Sequence, residues 1–93
     1  MYLHIGKDYI LNNNDIIGIF NINTLKKSNS YDYILENLSE KVIDISGGKP
    51  KSLILVSKNN KNIAYISNIL SSTIGNRINY KIGVNYGQVW SWV

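Results

Sequence analysis

Apolar positions in the first part of the chain alternate or come in short β-branched blocks. Tyr2-Leu3-His4-Ile5 alternates weakly and predicts a strand. Gly6-Lys7-Asp8 predicts a turn, because Gly and Asp tolerate turn conformations. Tyr9-Ile10-Leu11 returns as a second strand, closing a hairpin before Asn12-Asn13-Asn14-Asp15 breaks it. Ile16-Ile17-Gly18-Ile19-Phe20 predicts a buried strand by propensity, and a glycine inside it marks a bulge or a close backbone approach. Residues 21–29 are a polar connection. Thereafter the period changes. Tyr31, Ile34, Leu35 and Leu38 share one helical face, predicting a helix from about Tyr31 to Ser39, with Ser30 as its cap and Asp32 suiting its dipole.

The second half repeats the strand pattern. Lys41–Ile45 predicts a fourth strand, Ser46-Gly47-Gly48-Lys49-Pro50-Lys51 a loop, and Ser52–Ser57 a fifth strand. The turn 58–62 leads to Ile63-Ala64-Tyr65-Ile66, pairing back as a hairpin. Ser71 or Ser72 caps a second helix reaching about Ile78. Lys81–Val84 and Gln88–Val93 can form a terminal hairpin, placing Trp90 and Trp92 on one face. The fold class is therefore α+β: a small antiparallel sheet of hairpins with two short helices. One domain spans residues 1–78, and 79–93 is an aromatic extension, expected to pack as a hairpin.

With 93 residues the core is modest, so self-assembly adds stability. The absence of cysteine excludes disulfides and thiolate metal sites. Without a signal peptide or a long apolar run, the expected address is the cytoplasm, with no membrane partner. The net charge of +4 is unevenly spread. Residues 1–44 carry −2, whereas 45–93 carry Lys49, Lys51, Lys58, Lys61, Arg77 and Lys81 with no acid. That asymmetry suggests a polyanion partner, although a solvated surface rich in lysine explains it equally well.

Catalytic chemistry finds little support. His4 is the single histidine, set in a strand context that favours an ordinary satisfied hydrogen bond. Metal binding lacks clustered imidazoles or carboxylates, no pair of acids has glycosidase-like spacing, and the Gly47-Gly48 loop precedes a strand rather than a phosphate-binding helix. The reading is a non-enzyme with no cofactor. Gly48, Lys49 and Lys51 are the better candidates: glycine lets the backbone approach a surface, Pro50 stiffens the turn, and exposed lysines contact phosphate. An ordinary solvated loop is the alternative. Arg77, the single arginine, binds phosphate or pairs with an acid at a subunit contact. Asn12-Asn13-Asn14 offers amides to base edges or is simply a turn. Trp90 and Trp92 stack on bases or, by preference, pack in a core or oligomer interface.

In order along the chain, Tyr2-Leu3-His4-Ile5-Gly6-Lys7-Asp8, Asp15-Ile16-Ile17-Gly18-Ile19-Phe20, Pro50-Lys51-Ser52 with its aliphatic strand, and Tyr65-Ile66-Ser67 with Ser71-Ser72-Thr73-Ile74 and Arg77 resemble the extracellular-matrix regulator (Rem) family, on its RemB-like branch. These are small regulators of biofilm matrix genes in Gram-positive, spore-forming bacteria. The resemblance covers about residues 2–77. It implies a LytTR-like fold, a homo-oligomer of ring type, and binding of double-stranded DNA through the loop that here reads Gly48-Lys49-Pro50-Lys51. RemA-like members carry an arginine just before the third strand, where this chain has Asp15; a carboxylate there repels phosphate. The alternative is a protein-interaction module that partners a RemA-like paralogue without touching DNA. The tail beyond Asn79 has no counterpart in the family.

Overall fold

A computed structural model describes residues 2–82, with side chains through Ile78. The described residues form, in order, β1 (Tyr2–Gly6), β2 (Tyr9–Asn12), a 3-10 turn (Asn13–Asp15), β3 (Ile16–Asn21), α1 (Ile22–Lys27), α2 (Tyr31–Tyr33) continuing as a π-helical turn (Ile34–Leu38), β4 (Lys41–Asp44), β5 (Ser52–Lys58), β6 (Lys61–Ser67) and α3 (Ser71–Ile82). The class is α+β, as expected.

A four-stranded sheet of order β3-β5-β6-β4 forms the middle layer. β3–β5 and β5–β6 pair antiparallel, whereas β4 lies parallel to β6 at the edge. The antiparallel β1–β2 hairpin forms its own two-stranded sheet. Leu53, Leu55, Ala64 and Ile66 cover one face of the large sheet and pack on Ile22, Leu25 and Ile34 of the short helices. Ile16, Ile19, Ile54 and Val56 cover the other face, against Leu3 and Ile5 of the hairpin and Ile74 and Ile78 of α3.

Gly18 marks a bulge, as its place in the strand implies. Ile16 pairs with Val56, but Gly18 already pairs with Leu55, leaving Ile17 as the extra residue, half exposed to solvent. Without that insertion Ile16 and Ile19, three apart, would project to opposite faces; with it both enter the same core.

Five local expectations change. The polar connection after β3 contains a helix, α1, because the Asn21 side chain accepts from Thr24 N–H and buries Ile22 and Leu25 one turn apart. Ser30 does hold the cap position of α2, its carbonyl accepting from Ile34 N–H, but its side chain makes no capping bond and is engaged by Ser28 Oγ instead. Leu38 leaves the apolar face, because Ser39 N–H reaches back five residues to Ile34 O and the wider turn rotates residue 38 outward, 41% exposed. For α3 the first bond runs from Ile74 N–H to Leu70 O, so Leu70 sits at the cap position and Ser71 inside the first turn. That helix also continues through Lys81 and Ile82, overturning the strand expected from Lys81. The rest of the expected terminal hairpin, with Trp90 and Trp92, lies outside the described residues.

Candidate nucleic-acid interface

The loop between β4 and β5 is a crossover, not a hairpin turn. β4 ends beside Ile66 and β5 begins opposite Ser67, so residues 45–51 arch across the end of β6. Backbone bonds fasten both feet of the arch. Ile45 N–H donates to Ile66 O at 2.8 Å, and Lys51 N–H donates to Ser67 O at 2.8 Å. Lys51 O in turn accepts from Ile22 N–H at 3.1 Å, tying the arch to α1. Between the feet, Gly47 (φ +63°) and Gly48 (φ +84°) take left-handed conformations that disfavour other residues. Lys49 N–H returns to Ser46 O at 3.3 Å. The Lys49 and Lys51 side chains are exposed. The backbone is thus pinned while the ammonium groups face solvent.

Asp44 stiffens the base of the arch. Its Oδ1 accepts from Ser46 Oγ at 2.6 Å and from Ser46 N–H at 2.9 Å. These hydrogen bonds, the hydroxyl one foremost, hold its carboxyl below the usual carboxylate range, and the positive charge of Lys7 adds to them against a slight opposing burial.

The other candidates separate from the loop. Asp15 lies at the far end of β3, next to Ile16, which pairs with Val56, while the loop end of the same ladder pairs Asn21 with Ser52. Four strand steps separate those pairs, about 13 Å. Charges that far apart on a surface are largely screened, since the Debye length is about 8 Å at physiological salt. Repulsion by Asp15 would therefore be largely screened at a phosphate brought to the loop. Arg77 is also elsewhere. Its Nη1 donates to His4 O at 2.9 Å, securing α3 to β1. It lines a shallow groove with Tyr2, Leu3, His4 and Ile10 rather than joining Lys49 and Lys51. His4 has its ring Nε2 on Lys7 O, the satisfied strand histidine expected. In the Asn12–Asn14 run, Asn12 Oδ1 accepts from Asn14 N–H and Asn13 is buried, so these residues build the 3-10 turn.

Lys7 is the residue of this surface that the sequence did not single out. Its place near Asp44 follows from the packing of the β1–β2 turn on Ile45 and Ser67, far away in sequence, and the sole local signal is its position after Gly6.

Known proteins supply a class first: the chain is similar to a bacterial extracellular matrix regulator. That relative is Extracellular matrix regulatory protein B of Bacillus subtilis (strain 168), 29% identical over 85 residues, covering 91% of this chain and 99% of the relative. The similarity thus extends over nearly the whole chain, including part of the tail beyond Asn79 that the four segments left without a counterpart. No family model and no solved structure matches it. Among the described residues, no helix is long and apolar enough to cross a membrane.

Proposed function

We propose that this protein is a non-catalytic, DNA-binding transcriptional regulator of extracellular matrix genes, working in the cytoplasm as a homo-oligomer. The observation that carries the reading is the arch itself, where Lys49 and Lys51 project from a backbone anchored on β6 and α1. A pinned backbone lowers the ordering cost of each phosphate contact. The acid-free second half of the sequence adds a favourable field. The relative's name points to matrix regulation as the process. One protomer offers few cations, so a closed assembly that repeats the arch multiplies affinity through effective concentration. Exposed Tyr2 (70%) and Ile10 (59%) on the outer face of the β1–β2 hairpin supply apolar surface for contact between copies, and Trp90 and Trp92 are assigned to the same assembly.

Anisotropy of a labelled mixed-sequence DNA duplex, read across a salt series, tests the reading. Lys49→Ala with Lys51→Ala should lower the slope of log K against log salt by about 1.8, at about 0.9 per phosphate contact. The fold should be unaffected, because both side chains are exposed. Unchanged affinity and slope would remove the arch as the contact surface.

A second reading, a protein-interaction module that partners a RemA-like regulator, is favoured by the groove of Tyr2, Leu3, His4 and Ile10 beside Arg77. It predicts no salt-dependent DNA binding and loss of partner capture in Ile10→Asp.

A further inference from the structure

We propose that Lys7, on the turn between β1 and β2, is a third cation of the DNA-contacting surface, standing beside the arch that carries Lys49 and Lys51. The proposal rests on the DNA reading above and extends its contact set to a second, independent loop. The geometry starts at Gly6. It adopts φ +130°, and a Cβ built there would stand 3.4 Å from Ile45 Cδ1, 3.4 Å from Ser67 Oγ and 3.5 Å from Asn68 Oδ1. Ile45 is the first residue of the arch, and Ser67 is the strand end that the arch spans and whose carbonyl holds Lys51 N–H. The hairpin turn is therefore docked against one foot of the arch and against the strand end that holds the other.

Ser67 fixes this docking from below, its Oγ donating to Ile5 O. His4 fixes it from within the turn, through Nε2 on Lys7 O. Lys7 itself holds a left-handed backbone, φ +46°, and is exposed. Its charge registers on the Asp44 carboxylate at the base of the arch. Two acids adjoin this surface. Asp44 is held in its charged form by two hydrogen bonds from Ser46, and Asp8 follows Lys7 in the turn, so the rim mixes these acids with its lysines. Lysines on two separate loops, the arch anchored to β6 by backbone bonds and the hairpin by the Ser67 hydroxyl, form a rim at one end of the sheet. A compact ammonium needs no fork geometry to meet a phosphate, so a rim of this kind suits a sequence-tolerant contact with the backbone of a duplex.

The experiment measures the salt slope for a mixed-sequence duplex with the full chain, its Lys7→Gln and Lys7→Arg variants, and the Lys49→Ala/Lys51→Ala protein, each checked for an unchanged melting curve. Lys7→Gln should lower the slope by about 0.9 and Lys7→Arg should restore it. Combining Lys7→Gln with the two alanines should lower it by about 2.7. If the double alanine variant loses slope and Lys7→Gln does not, Lys7 is off the interface while the DNA reading stands. If neither changes, or the unmodified protein shows no salt-dependent binding, the DNA reading itself fails and this proposal with it.

Discussion

Ser52 and Ser67 face each other across the β5–β6 ladder, both fully buried, yet the same substitution should affect them in opposite directions. Ser67 Oγ donates to Ile5 O and accepts from Ile69 N–H at 3.0 Å. Ser67→Ala deletes the partner of two backbone groups, one buried and one partly so. Each stranded group costs about 1–3 kcal/mol, so the variant should lose about 2–4 kcal/mol. For a domain of this size, about 4–8 °C of melting temperature goes with each kcal/mol, which gives a fall of about 8–32 °C. Ser52 Oγ has no partner among the described residues. Ser52→Ala therefore removes an unpaired buried hydroxyl and should be neutral or stabilising by up to about 1 kcal/mol. Thermal melts by circular dichroism and urea titrations of the two variants and their double mutant give the comparison. Because the two residues are direct neighbours, the double mutant also reports whether they couple. Equal effects for the two variants, or a larger loss for Ser52→Ala, would refute the assignment of Ser67 as the clamp between hairpin and sheet.

The Asp44 tether makes the arch acid-sensitive. Its carboxyl is held below its ordinary value in the folded chain, so the contribution is present above the unfolded carboxylate range and disappears as pH falls through the folded value. Slowed exchange of Ser46 N–H should therefore persist at neutral pH and vanish in acid, Asp44→Asn should remove that dependence, and an Asp44 titrating at or above its ordinary value by NMR would contradict the tether. Truncation after Ile82, the end of α3, should leave a folded domain of reduced oligomeric mass by sedimentation, with the salt slope of any remaining DNA binding still set by the arch; an assembly of unchanged mass would remove Trp90 and Trp92 from the interface.

The features legible in the sequence were those written in short-range pattern. The strands followed from β-branched runs, and the bulge from Gly18 inside one of them. The α1 helix escaped because it is only six residues long, although Asn21 as cap and Ile22 with Leu25 three apart were its local signature. The parallel edge pair β4–β6 had no local signature at all: Lys41–Asp44 reads the same in either orientation, and only the chain path decides. The same limit applied to the site. Lys49 and Lys51 stood out because they flank Pro50 beside two glycines, whereas Lys7 joins them through contacts between residues 6 and 67, which no spacing rule anticipates. Asp15 shows the reverse case. Its charge was plain in the sequence, but its distance from the loop emerged only from the β3–β5 register.

The crossover has a consequence for the order in which the molecule is made. The lysines of the arch are synthesised before the strand beneath them: both feet are fastened to Ile66 and Ser67, which emerge some fifteen to twenty residues after the loop has left the ribosome. A nascent chain ending near residue 60 already carries the full charge of the arch, but neither carbonyl that gives it a shape. Electrostatic attraction to a polyanion thus exists before the shaped surface does, and the loop becomes a defined contact only when β6 has closed between β4 and β5.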